Sequence, residues 1–587
     1  MKHFKTLFFT IRVVWDINKK LLLVVVLFSV IGGISPIVLL RFTQSIINAI
    51  QSMTLPLEEV IFLIIGYGIF SICMMLIQNT NAYFATQLNI VLTHKVKYEL
   101  MKKCAELTLE RLEATETYDM ITRLESEVSV KPYQSLTALI QIVSASITFA
   151  YAIYSILVWN IGITILLVAI STLYVIGQIK VAEKDFRMRF NRSDKERKLW
   201  YYSFLLTRDT AFKEIKILNL KSYFLDRYWK LVQTFIKEEN SINRIGIALS
   251  IVISLAQDIM AMVVMFVAIR EAYWGLILIG TTLFYINTVG IVQNTAGVLA
   301  NNIHSLYNSN LYMELMKNFL SLGVKKQGDK EVKSVEKIQI KGLGYDYPNT
   351  KNVLHNISFD ISKGERVAIV GANGSGKSTL LKLLCGLYTP ASGSVLINGD
   401  DLQKISECSY REKISVLFQD FLKFEGSLEE NIHIGHIDIK QEKRIIKAAL
   451  EFANVEFLKE ADEYQYSRYL GSWFEGGSQL SGGQWQKIAL ARAYYKDADV
   501  YFLDEPSSAL DVTSEMKIFK NFFKKSKGKI GVFITHRVRI AKQADKIIVI
   551  DRGEIIGIGR HQDLKVKCPF YRDMLLKEKE LDLQVGE

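Results

Sequence analysis

Six stretches, each apolar over close to twenty residues, constrain this chain more than any other feature. They are Leu21–Leu40, Val60–Ile77, Leu136–Val158, Ile161–Ile179, Ile245–Ile269 and Tyr273–Val292. A hydrocarbon core about 30 Å thick is crossed by about 20 helical residues. Inside lipid no water satisfies the backbone, so each stretch predicts a helix whose amides and carbonyls bond to one another. The first run follows Lys2, Lys5, Arg12, Lys19 and Lys20 and could pass for a secretory signal, but it is too long for one. It reads as the first span.

The connections between the runs divide by charge. Ala82–Pro132 carries Lys95, Lys97, Lys102, Lys103, Arg111, Arg123 and Lys131, and Lys180–Arg244 is richer still. Phe42–Glu59 and Trp159–Asn160 carry no Lys or Arg, and Arg270–Tyr273 carries one. By the positive-inside rule both termini and both long loops are expected in the cytoplasm. The formal net charge of +12 is then explained by topology, and no nucleic-acid partner is needed. Both long loops are poor in Gly and Pro. In 211–231, Phe212, Ile215, Leu218, Leu220 and Phe224 recur at helical spacing. Membrane helices that continue into the cytoplasm and reverse through a short contact helix are expected. Cys73, Cys104, Cys385, Cys408 and Cys568 form no CxxC pair, which argues against a disulfide framework or a zinc site.

After a polar, lysine-rich segment the pattern changes to short apolar strands alternating with amphipathic helices. The expected division is a transmembrane domain at 1–320, a linker at 321–335 and an α/β domain at 336–587. Val367–Val370, Tyr501–Leu503 and Gly531–Thr535 read as buried parallel strands, and Lys546–Ile558 as a hairpin turning at Arg552-Gly553. The tail beyond Pro569 reads as a solvated helix.

Three motifs carry chemistry. Gly371-Ala372-Asn373-Gly374-Ser375-Gly376-Lys377-Ser378-Thr379 follows a strand and opens a helix, the context of a phosphate-binding loop. Its glycines let N–H groups close around phosphate oxygens at the positive end of the helix. Lys377 would reach the β- and γ-phosphates, and Ser378 would ligate Mg²⁺. Downstream, Val500–Glu505 is an apolar strand ending in two carboxylates. Asp504 is expected to hold Mg²⁺ and Glu505 to polarise the water that attacks ATP. Between them Ser481-Gly482-Gly483-Gln484 opens a second helix, another anion-binding start. Two such starts in one domain make sense if two copies face each other and share nucleotides.

Leu480-Ser-Gly-Gly-Gln484 together with the other two motifs resembles the ATP-binding-cassette family, and six spans followed by one cassette resemble the half-transporter layout of its exporters. The resemblance implies a six-helix all-α membrane domain followed by an α/β P-loop cassette, assembled as a domain-swapped exporter-type homodimer or, alternatively, a heterodimer. It implies that Gln419 is the Q-loop glutamine linking Mg²⁺ to the membrane domain and His536 the switch histidine on the γ-phosphate. Ser508–Asp511 matches the D-loop that crosses to the other protomer. Tyr347 matches the aromatic that stacks on adenine, with Tyr345 as its competitor.

Gly471-Ser-Trp-Phe-Glu-Gly-Gly477 replaces the Gly-Glu-Arg-Gly run of many exporters. With Val416–Asp420 and Gln484–Lys487, it looks like the exporters of lantibiotics and related modified bacterial peptides. The implied function is export of such a peptide across a bacterial plasma membrane by an ATP hydrolase. Export of lipids or drugs is the alternative, and a regulator that moves nothing is a third reading. The first span begins near Leu21, so no peptidase domain is expected before it. Asp258 in the fifth span would face either a substrate cavity or another helix. Asn287, Gln293 and Asn294 are weaker candidates of the same kind.

Overall fold

Among the described residues, six helices are long and apolar enough to cross a membrane. The computed structural model describes residues 2–53, 55–127, 130–324, 328–347, 350–460, 463–507 and 510–584. The chain divides into two compact units, one of Met1–Glu106 with Thr115–Gly323, the other of Leu107–Ala114 with Val324–Glu587.

The spanning helices of the first unit are α1 (Lys2–Ser52), α2 (Leu57–Glu106), α5 (Lys131–Leu157), α6 (Ile161–Asn191), α9 (Lys221–Tyr273) and α10 (Ile279–Leu320). Several run far past the apolar stretch, as the loop composition predicts. The short helices of the reversals are α3 (Leu109–Glu113), α4 (Thr115–Glu127), α7 (Ser193–Thr207) and α8 (Asp209–Ile217). One boundary differs from expectation. Tyr273 ends α9, Gly275 adopts a left-handed φ of 69°, and the last span starts only at Ile279. Arg270 is therefore helical, not part of a connection.

Breaks in α1 are satisfied locally. Asn18 leaves helical geometry, and its side-chain oxygen accepts the Leu21 N–H at 3.1 Å, as an N-cap does. Pro36 cannot donate to Gly32, and the Ser35 hydroxyl donates to that carbonyl instead at 2.8 Å. Small residues bring α1 against α5: Ser144 donates to Ser29 O at 2.8 Å, and Thr148 donates to Gly33 O. A Cβ at Gly33 would lie 2.6 Å from Ser144 Oγ and 2.8 Å from its carbonyl oxygen.

The second unit is built on a six-stranded sheet. In chain order the strands of this unit begin with β1 (Lys337–Tyr347), β2 (Thr350–Ser362), β3 (Arg366–Gly371), β4 (Ser392–Ile397), β5 (Asp400–Asp401) and β6 (Ile414–Leu417). Short pairs follow, β7 (Gly426–Ser427) with β10 (Tyr469–Leu470) and β8 (Lys459–Glu460) with β9 (Glu463–Tyr464). The chain then forms β11 (Val500–Asp504), β12 (Ile530–Ile534), β13 (Lys546–Asp551) and β14 (Glu554–Gly559). The main sheet runs β14-β13-β3-β12-β11-β6, parallel except for the β13–β14 hairpin, and β2-β1-β4-β5 form a second, antiparallel sheet. The three strands and the hairpin predicted from sequence are all present. Side chains alternate between two cores: Val367, Ile369, Phe502 and Val532 enter one, and Ala368, Val370, Tyr501 and Phe533 the other. Burial on both faces is why these strands are apolar without interruption.

The helices of this unit, after α3, are α11 (Lys377–Leu384), α12 (Glu407–Lys413), α13 (Leu428–His433), α14 (Lys443–Phe452), α15 (Gly482–Tyr495), α16 (Val512–Lys525), α17 (Val538–Ala541), α18 (His561–Lys567) and α19 (Pro569–Gln584). The tail, α19, is not simply solvated: Tyr571 is fully buried, with its hydroxyl 2.9 Å from His561 Nδ1. Within the stretch read as a linker, Val332 and Val335 join the cassette core, and the Val335 N–H donates to Asp499 at 3.0 Å. Residues 325–327 of that stretch lie outside the described residues.

Substituting Gly33 by Val should cost about 1–3 kcal/mol through overpacking. Thermal unfolding of the solubilised protein should show Gly33→Val melting earlier, while Gly68→Ala, where a Cβ meets open space, melts at or above the parent temperature.

Candidate active site

The phosphate-loop segment is shaped by close packing. At Gly371, the end of β3, a Cβ would lie 2.0 Å from the Ile550 carbonyl oxygen. Gly376 caps α11 with φ 100°, and a Cβ there would lie 2.6 Å from a Leu354 methyl. Only glycine fits both demands at that position. Lys377 is 6% exposed, and its ammonium donates to Gly371 O at 3.1 Å and Ala372 O at 2.8 Å. Burial lowers its pKa against the opposing pull of Glu505 and Asp504.

β11 delivers the two carboxylates. Asp504 is 3% exposed and takes a hydrogen bond from Ser378. Burial raises its pKa from the ordinary aspartate value. Its Oδ1 has no hydrogen-bond partner among the described residues, nor has the buried Ser375 Oγ. A buried, half-satisfied carboxylate beside a hydroxyl suits a hard cation with oxygen ligands.

Glu505 adopts φ 46°, a left-handed backbone that costs a residue other than glycine about 1–3 kcal/mol. It is held there by its N–H on Ile534 O at 3.2 Å and by the buried Gln486, whose amide donates to Glu505 O at 3.1 Å. Gln419 Nε2 donates to the Glu505 carboxylate at 3.0 Å, and His536 Nδ1 lies 3.7 Å from its other oxygen.

Part of this set lines one cleft of about 690 Å³, while Gly371, Ala372, Ser375 and Asp504 are not among its lining residues. Asn373, Gly374, Gly376, Lys377, Ser378 and Thr379 form its floor, and Gln419, Glu505 and His536 one wall, with Tyr347 and Val353 completing it. Tyr347 OH is 3.2 Å from Thr379 Oγ1. Tyr345 is buried instead, stacked on Tyr388 with ring centroids 5.0 Å apart. Sequence reasoning missed Val353 and Gln486. Val353 carries no motif, although Gln486 stands two residues past Gln484.

Other candidates lie outside this cleft. Ser481 caps α15 and forms a capping box with Gln484: Ser481 Oγ accepts the Gln484 N–H at 3.3 Å, and Gln484 Oε1 accepts the Ser481 N–H at 2.9 Å. Gly482 and Gly483 open that helix. Asp511 caps α16, accepting the Ser514 N–H at 2.9 Å. Ser508 and Ala509 of the same motif lie outside the described residues. In the first unit Asp258 lines a cleft of about 620 Å³ with residues of α6, α9 and α10, among them Gln178, Asn301 and His304. Gln293 makes a helix–helix bond instead, donating to Gln257 O at 2.7 Å.

Residues 354–508 match the family model described as ABC transporter, and residues 22–295 that described as ABC transporter transmembrane region. The chain is 40% identical to the subtilin transport ATP-binding protein SpaT of Bacillus subtilis, over 96% of this chain and 93% of that one. It belongs to the ABC transporter family. The nisin transport ATP-binding protein NisT of Lactococcus lactis subsp. lactis is 33% identical over 97% of this chain and 95% of its own length. The structure of a bacterial Atm1-family ABC exporter with ATP bound shares the fold, with TM-score 0.82 at 20% identity, covering 96% of this chain and 99% of that one. This ABC transporter is thus a multi-pass membrane protein with a nucleotide-binding, ATP-hydrolysing cassette.

The raised pKa of Asp504 has a consequence for stability. The folded chain holds a proton there that the unfolded chain has already released, so stability falls as pH rises from the ordinary carboxylate range through the raised value. Without nucleotide or metal, Asp504→Asn should therefore melt later than the parent chain at neutral pH. The advantage should shrink toward acid pH in thermal scans.

Proposed function

We propose that two copies of this chain form an exporter that moves a modified, lantibiotic-like peptide out of the bacterial cytoplasm, across the plasma membrane, by ATP-driven alternating access. Residues 1–320 would serve as the membrane half and 336–587 as the motor, joined through 321–335, with both termini in the cytoplasm. One observation carries the two-copy arrangement: the cleft contains the phosphate loop, Glu505 and His536, whereas Ser481–Gln484 and Asp511 stand outside it. A second copy would bring its own Ser481–Gln484 and D-loop to the open side of each nucleotide. The peptide reading rests on the two nearly full-length relatives named for subtilin and nisin transport, and on the likeness to lantibiotic exporters in Gly471–Gly477.

In this reading ATP lies against the phosphate loop Gly371–Thr379, over the floor formed by Asn373, Gly374 and Gly376–Thr379. N–H groups of the loop and the start of α11 take the phosphate oxygens. Lys377 would exchange its bonds to Gly371 O and Ala372 O for β- and γ-phosphate oxygens. Tyr347, on the wall of the cleft, offers its ring to adenine. Ser378, Asp504 and Gln419 would hold Mg²⁺, whose charge offsets that of the phosphates. Glu505 polarises the attacking water, and His536 contacts the γ-phosphate. Gln419 and His536 both lie beside the Glu505 carboxylate, so a change at either reaches the general base directly. ATP binding closes the paired cassettes, hydrolysis releases them, and the extended cytoplasmic helices carry the change to the membrane half.

Glu505→Gln should lower ATP turnover by about 100-fold or more while ATP still drives the cassettes to dimerise. Near-normal turnover would remove Glu505 from its role. For the substrate, the reconstituted transporter should be stimulated by, and should accumulate in vesicles, a modified peptide. Stimulation by lipids or dyes alone would turn the reading to lipid or drug export, and gating without accumulation to a regulator. If the Asp258 cleft receives the substrate, Asp258→Asn should alter stimulation and leave basal turnover unchanged.

A further inference from the structure

Glu515 is completely buried, yet no step of hydrolysis described above uses it. It lies in the first turn of α16, where one would expect a solvated acid favoured by the helix dipole. Instead its carboxylate collects three donors, Ser507 from the loop after β11, Arg537 from the loop after β12 and Arg539 from the short α17 that this loop enters. Ser507 Oγ donates to one oxygen at 2.6 Å. Arg537 Nη1 and Arg539 Nη2 both reach the other oxygen, the latter at 2.6 Å.

The positions of these donors matter. Ser507 stands two residues after Glu505, and Arg537 follows His536 directly. β11 and β12 are parallel neighbours whose register ends at Asp504 and Ile534, and the last backbone bond between them is the Glu505 N–H on Ile534 O at 3.2 Å. The loop after β11 carries Glu505 in a strained left-handed conformation, and the loop after β12 carries a half-exposed His536. Side chains from both then converge on the same buried carboxylate. The Arg539 N–H also donates to Glu578 on α19 at 3.1 Å, so α17, which the second loop enters, is anchored on two sides.

We infer that Glu515 is a positioning residue for hydrolysis, clamping the Glu505 and His536 loops at a fixed separation through Ser507 and Arg537. The inference rests on the roles proposed for Glu505 and His536. A buried carboxylate held by two guanidinium groups and a hydroxyl is rigid in a way a surface pair is not, because letting go of its donors would leave its charge unsolvated out of water. The separation of general base and switch histidine is thereby set from behind the cleft, away from nucleotide. Phosphate-loop geometry does not depend on it, so ATP binding and ATP cleavage should respond differently to its loss.

The test uses the full chain in lipid nanodiscs, with ATPase kinetics and binding of a fluorescent ATP analogue measured together. Ser507→Ala and Arg537→Lys should each lower kcat about fivefold or more, with KM and analogue affinity within about twofold. Their double variant should fall little below the worse single variant, because both act through one carboxylate. Glu515→Asp should recover part of the kcat lost in Glu515→Gln. Unchanged kcat in both single variants overturns the inference, as does a loss of ATP affinity in step with kcat, which marks a merely structural role. These single variants keep the test decisive if Glu515→Gln does not fold. Full turnover in Glu505→Gln would instead sink the parent reading. An inactive Glu505→Gln beside full-speed Ser507→Ala and Arg537→Lys sinks only the clamp.

Discussion

The parallel pairing of β6, β11, β12 and β3 puts four carboxyl-terminal strand ends along one edge of the sheet, and the chemistry depends on that edge. Gly371 ends β3, Gln419 lies just past β6, Glu505 just past β11 and His536 just past β12. Open parallel sheets bind ligands at this edge because the loops there leave strands whose positions are already fixed by the ladder. Neither core has to be disturbed to build the site. The apolar residues of each strand fill both faces, and the residues at and just beyond the strand ends are free to carry function.

That freedom has an energetic cost, and the site shows where it falls. Lys377 is buried on backbone carbonyls, Asp504 is buried with an oxygen lacking a partner among the described residues, and Glu505 is left-handed. Each is a poor arrangement for an empty protein and a suitable one for a polyanion with a cation. The surrounding structure supports them through groups that do not line the cleft. Gln486 fixes the Glu505 backbone, and the two cores bury the strands beneath it.

The membrane unit solves a different problem, the lack of water to satisfy broken helical bonds. Ser35 replaces the donor lost at Pro36, and Thr148 and Ser144 bond carbonyls of the neighbouring α1. At one interhelical turn Asn160 caps α6 through the N–H groups of Gly162 and Ile163, and Trp159 stacks on Tyr285 while donating to Glu271 at 2.7 Å. Helices secured in this way can run well past the apolar stretch, as α2 and α9 do.

What the residues determined by themselves was whatever local backbone chemistry dictates. Twenty apolar residues must be helical in lipid, and a glycine-rich turn between a strand and a helix must present amides. Gly371–Thr379, Asp504-Glu505 and Ser481–Gln484 were legible for that reason. Tertiary structure decided matters that turn on distant partners. Tyr345 and Tyr347 share a strand face by periodicity, but β1 shifts register twice near them, so one stacks inside on Tyr388 and the other walls the cleft. Val332 and Val335 look like linker until the cassette core takes them in, and the left-handed Gly275 moves the last span from Tyr273 to Ile279. Glu515 reads as one more acid on a charged helix. Only packing, which brings Ser507 and Arg537 to it from two loops and Arg539 from α17, makes it a buried junction. Burial is a property of the surroundings, and a single residue's spacing along the chain does not carry it.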